Sequence, residues 1–63
     1  MFRTRDRIEF DNGETYFTGT LMFFYEDDTL NVKLDPEFAD YGGQRLNRVN
    51  PDYCEIIGKE GDV

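Results

Sequence analysis

The sequence predicts an all-β fold, a small barrel of five strands, on three observations. From Tyr16 to Leu34 two β-rich runs flank a polar reversal at Glu26-Asp27-Asp28, the pattern of a long antiparallel hairpin. Just before it, Asp11-Asn12-Gly13-Glu14 is a strong turn signal, because Asn-Gly readily accepts positive φ. Gly19 lies inside a strand, where glycine weakens pairing unless a bulge or bend needs it. A small barrel needs such a bend so that one strand can serve both halves of its wall.

In chain order, the first strand reads from Phe2 to Phe10 and is clearest from Arg7 to Phe10. Phe2, Ile8 and Phe10 fall on one face; Arg3, Arg5, Arg7 and Glu9 fall on the other. On the second strand Phe17, Gly19, Leu21, Phe23 and Tyr25 share a face, and Tyr16, Met22 and Phe24 take the opposite one. Leu30, Val32 and Leu34 repeat the inward alternation, with Asn31 and Lys33 outward. Proline near the start and paired glycines at the end mark Asp35 to Gly43 as a loop, whose Phe38 and Tyr41 serve either as a lid on the barrel end or as recognition residues. Gln44 to Val49 forms a fourth strand in which Leu46 and Val49 break strict alternation, so a bulge or early end falls near Asn47-Arg48. Asn50-Pro51-Asp52-Tyr53 reads as one 3₁₀ turn, since proline fixes φ. Cys54 to Ile57 is the last strand, closed by Gly58. Residues 1–58 thus make one domain, and residues 59–63 a flexible C-terminal tail.

Composition narrows the classes of activity. With 63 residues there is one domain, and a chain of this size buries only about 60% of its unfolded surface. Cys54 is the lone cysteine and histidine is absent, which argues for a reducing, cytoplasmic setting and against structural zinc. No apolar run approaches the ~20 residues of a membrane span, and the start lacks the apolar stretch of a secretory signal. Fourteen acidic against seven basic side chains give a formal charge of -7. That balance disfavours nucleic acid and suits solubility, a basic protein partner, or mimicry of a nucleic-acid surface.

Asp6-Arg7-Ile8-Glu9-Phe10 followed by Phe17-Thr18-Gly19-Thr20-Leu21 resembles the opening of KOW- and Tudor-type barrels. Val49-Asn50-Pro51-Asp52-Tyr53-Cys54-Glu55-Ile56-Ile57 is similar to the end of an SH3 domain, where a proline-containing turn with a tyrosine precedes the closing strand. The resemblance covers nearly the whole chain and implies an SH3-like five-stranded barrel. It departs from SH3 domains in having no tryptophan and too short a first connection, Asp11 to Thr15, for their acidic loop. Fold likeness carries no function with it.

No catalytic constellation is visible. Nothing supplies a near-neutral base, Cys54 has no histidine to activate it, and the carboxylates of Glu26-Asp27-Asp28 and of Asp11 with Glu14 lie in turns. Those turns lack the spaced ligands of a calcium loop. The chain is read as a non-enzyme without cofactors. If Tyr16, Met22 and Phe24 face outward, they form an apolar patch of the kind that marks an interface, rimmed by Glu26, Asp27 and Asp28. A bend at Gly19 that buries both faces is the competing account. Arg3, Arg5 and Arg7, with Arg45 and Arg48, make a second patch if first and fourth strands approach; otherwise they pair across strands with Glu9, Glu14 or Glu55. The expectation is a small acidic protein-binding module, an accessory subunit or phage-type inhibitor of another protein with a basic surface. A structural component that self-associates, and nucleic-acid binding through the arginine stripe, are the alternatives.

Overall fold

Five antiparallel strands make one sheet in a computed structural model that describes residues 2–38 and 44–59. They are β1 (Asp6–Asp11), β2 (Tyr16–Phe24), β3 (Leu30–Leu34), β4 (Arg45–Val49) and β5 (Cys54–Lys59), with 3₁₀ turns at Pro36–Phe38 and Pro51–Tyr53. The sheet order is β4-β3-β2-β1-β5. The all-β class, the strand count and the 3₁₀ turn before the last strand match the sequence reading. The last strand runs past the expected stop at Gly58 to Lys59; the rest of the expected tail, with Tyr41 and the glycine pair, lies outside the described residues.

Local chemistry explains most of the reversals. The Asn12 side-chain carbonyl accepts from the backbone N–H of Glu14 (2.9 Å) and Thr15 (2.8 Å), and Gly13 takes φ 92°. In the turn between β2 and β3, Tyr25 N–H donates to Thr29 at 2.8 Å while Asp28 adopts φ 66°. Asn50 caps the 3₁₀ turn, its side chain accepting from Asp52 N–H at 2.9 Å, and Pro51 fills the first position. Arg5 at φ 71° breaks the first run, so β1 starts at Asp6 and Phe2 packs on the core from outside any strand.

The expected barrel does not close. β4 and β5 are the two edges of the sheet, and in place of a ladder the gap between β4 and the β1–β2 hairpin is a shallow concavity of about 310 Å³, with Phe10, Phe17, Leu46 and Val49 among its lining residues. The sheet is nevertheless strongly curled. Only Asn50 and the 3₁₀ turn join β4 to β5, and three residues of 3₁₀ rise about 6 Å. Four interstrand steps in a flat sheet would hold the edges about 19 Å apart. The curl wraps a core of Ile8, Phe10, Phe17, Leu21, Leu30, Val32, Leu34, Val49 and Cys54, with the Phe10 and Phe17 rings stacked at 4.8 Å.

Among the described residues the ladders carry three bulges; one, on edge strand β5, makes Ile57 the extra residue between Ile56 and Gly58, and the other two set which side chains of β2 and β4 face this core. On β4, Leu30 pairs with Val49 and Val32 with Leu46, so the extra residue falls at Asn47-Arg48, where Arg48 takes φ 55°. This is where the broken alternation placed it. On β2, Leu21 pairs with Val32 but Phe23 with Asn31, so Met22 is the extra residue. The bulge reverses the faces beyond it. Phe23, expected inside, stands 41% exposed, and Phe24, expected outside, lies on the core side opposite Leu30 yet is 40% exposed at the sheet end. Gly19 is needed not for a register break but for contact: a Cβ there would lie 2.5 Å from the Lys33 carbonyl oxygen.

Candidate functional site

Alternation along β1 puts Ile8 and Phe10 in the core and Glu9 and Asp11 on the opposite face. The β1–β5 register sets Glu9 directly opposite Glu55, and the capped turn adds Asp52 and Tyr53. Glu9, Asp11, Asp52, Tyr53, Cys54 and Glu55 line an open concavity of about 330 Å³. None of its four carboxylates has an ion pair among the described residues. Tyr53 is half-exposed and packs edge-on to Phe10 at 5.9 Å; Tyr16 stands beside the hollow and donates its hydroxyl to Glu9 at 3.2 Å. Partial desolvation and the Glu9 carboxylate hold the Tyr16 phenol above its ordinary value. Burial pushes the Cys54 thiol up to about 11, so this core side chain is a packed thiol rather than a nucleophile.

Like charges directly opposite in a ladder destabilise it. Replacing Glu55 with Gln is therefore expected to raise stability by about 0.5 kcal/mol, read as an upward shift of the urea midpoint at low salt.

The expected apolar patch divides. Tyr16 and Phe24 sit at opposite ends of β2, about 26 Å apart at eight strand steps. Tyr16 stands beside the acidic hollow, bonded to Glu9, and touches Phe38 edge-on at 5.8 Å. Phe38 is half-buried on the core, which matches the lid reading for that residue. Met22 is half-buried at the bulge, and exposed Glu26, Asp27 and Asp28 lie in the distal turn. Asp27 is held there by the turn itself: it accepts from the Thr29 hydroxyl at 2.5 Å and the Thr29 N–H at 3.1 Å, with Arg48 at 3.3 Å. Those Thr29 bonds, led by the hydroxyl, keep its carboxyl below the usual range.

The arginines are distributed over different parts of the sheet. Arg3 and Arg5 precede β1, and two strands separate β1 from β4. Arg7 crosses to Asp35: its two guanidinium nitrogens reach the carboxylate at 2.6 and 2.5 Å, one of them also donating to Thr20 at 3.0 Å. Thr18 donates to Asp35 at 2.5 Å. Arg45 stands opposite Lys33, and Arg48 lies 4.4 Å over the Tyr25 ring.

Comparison with family models, curated proteins and solved structures finds no match. The site therefore rests on geometry alone. Among the described residues no helix is long and apolar enough to cross a membrane, and no three acidic or cysteine groups are placed to hold a metal ion.

Sequence reasoning missed two features. Asn31, expected outward, is only 3% exposed; its amide donates to Tyr25 (3.1 Å) and Asn47 (2.9 Å), while its side-chain carbonyl oxygen has no partner among the described residues. Ile56 and Ile57 on β5 are 45% and 49% exposed. Alternation gave no warning of either, because burial there depends on the curl of the sheet and on which strand lies at its edge.

Proposed function

We propose that this chain is a non-catalytic protein-binding module on an SH3-like, incompletely closed barrel, and that it holds a basic segment of another protein in the β1–β5 hollow. The supporting observation is the set of four carboxylates around one concavity with no described cation to neutralise them. Proteins normally separate such charges, since each Glu9–Glu55 type of contact costs stability. A lysine or arginine entering between them relieves that repulsion, and the Tyr53 ring offers it a face. The SH3-like assignment draws on the strand order, the curl and the closing 3₁₀ turn. As an accessory subunit or inhibitor, the domain uses its net charge of -7 to speed encounter with a basic surface.

The test is an NMR titration with an arginine-rich peptide amide at low salt. Shifts confined to Glu9, Asp11, Asp52, Tyr53 and Glu55, lost with added salt and in the Glu9→Gln/Glu55→Gln variant, are expected. Shifts centred instead on Glu26 to Asp28, or spread evenly over the acidic surface, would overturn the site.

A further inference from the structure

We infer that the outer edge of β5 takes an extended segment of the partner as a sixth strand, and that this segment alternates basic and apolar side chains. The inference rests on the acidic-hollow reading and specifies its partner. Among the described residues β5 pairs with β1 alone, so the N–H and C=O groups directed away from β1 are the ones an added strand would use.

The register fixes what that strand must carry. One row of side chains runs Leu34, Gly19, Ile8, Ile56 across the core face. Ile8 is fully buried, but the row stops at β5 with Ile56 left 45% exposed. The neighbouring row on the other face runs Thr18, Glu9, Glu55 and stops there too. A further strand places its next two side chains beside Ile56 and Glu55. Adjacent residues of a strand face opposite sides, so an apolar residue covers Ile56 while its neighbour sets a positive charge against Glu55 and Glu9. β4, the other edge, offers no such surface, because Val49 is buried and Leu46 half-buried. A second copy is a poor occupant: it brings its own charge of -7 and the same glutamates.

The probe is a short capped peptide of alternating Lys and Val, compared with the same peptide N-methylated at alternate residues along one edge and with the arginine-rich amide used above. Binding to the intact protein should slow amide exchange along β5. N-methylation should weaken it at least about tenfold, since backbone bonds are lost while charge is kept. Ile56→Ser should weaken the Lys/Val peptide and leave the arginine-rich amide unaffected. If both Lys/Val peptides bind equally and both are lost in Glu9→Gln/Glu55→Gln, strand addition is overturned and the hollow stands. If none of the three peptides binds, both readings fall. A dimer by sedimentation, with β5 protected without peptide, assigns the edge to a second copy and overturns the proposal.

Discussion

Replacing Gly19 with Ala is expected to unfold most of the protein. In an ordinary strand this change stabilises by about 0.4–1 kcal/mol, because the unfolded chain loses freedom. Here the new Cβ would sit 2.5 Å from the Lys33 carbonyl oxygen and 2.8 Å from Val32 Cγ1. The Val32 methyl can rotate away. The carbonyl cannot, since it belongs to the β3 backbone that pairs with β2 around Thr20 and Lys33. Overpacking of this kind costs about 3 kcal/mol, which outweighs the entropic gain. A core from so short a chain supplies only about 3–5 kcal/mol in total. Gly13 is the control: its φ is 92° but nothing lies within 4 Å of an added Cβ, so Gly13→Ala should cost only about 1–2 kcal/mol. Thermal unfolding followed by circular dichroism separates the two; a cooperative, near-native transition for Gly19→Ala would refute the close-approach account.

Acid should destabilise the fold through Asp35, and Asp35→Asn should remove most of that acid sensitivity. The Arg7 guanidinium, foremost, and the Thr18 hydroxyl hold the Asp35 carboxyl below its ordinary value, against the opposing effect of its burial. The sign follows from proton counting. Between the depressed folded value and the ordinary value near 3.9, the unfolded chain binds the extra proton, so stability rises with pH at up to about 1.4 kcal/mol per unit. The contribution is complete above the ordinary value and is lost as pH falls through the folded one. A second effect has the opposite sign: acidification toward the pI of 4.2 relieves the repulsion of a chain at -7. The profile should therefore peak near pH 4–5 and fall below it, where the Asp35 loss exceeds the relief. Asp27, also depressed, adds little because it is exposed. In Asp35→Asn the fall below the peak should largely vanish, and stability at neutral pH should drop by about 2 kcal/mol as the charge-assisted bonds between the part-buried Arg7 guanidinium and the Asp35 carboxylate are lost. Urea midpoints from acid to neutral pH measure both; an unchanged acid limb in the variant would exclude Asp35 as its source.

The two experiments bear on the same junction. Gly19 admits the β3 backbone to β2, and the chain leaving β3 then brings Asp35 onto Thr18, whose carbonyl accepts the Asp35 N–H at 3.1 Å. The Arg7–Asp35 pair therefore ties β1 to the segment after β3 across the strand between them, and holds the sheet curled. The curl brings the two edges close enough for a four-residue link.

How far this arrangement was legible follows from the range of each interaction. Turns at Asn12-Gly13 and Asn50-Pro51 were readable because a side chain bonds to backbone two or three residues on, and the sequence displays both partners. The β4 bulge was readable because Leu46 and Val49 are both needed inside and cannot alternate. The β2 bulge was hidden, since Met22, Phe23 and Phe24 are all bulky and any of them suits a core face. The arginines' partners were hidden because Asp35 lies in a loop whose path depends on the curl. The acidic site was missed for a similar reason: Glu9 and Glu55 meet only once β5 has paired with β1.

Alone, the sequence determined a β protein of five short strands, their reversals and the inward set of Ile8, Phe10, Phe17, Leu21, Leu30, Val32 and Leu34, because alternation and turn chemistry act between near neighbours. Only the tertiary structure decided which strands are edges, that the wall stays open, and that four carboxylates share one hollow. Those depend on pairings between residues dozens of positions apart, such as Glu9 with Glu55, and on bulges that only the paired ladders reveal.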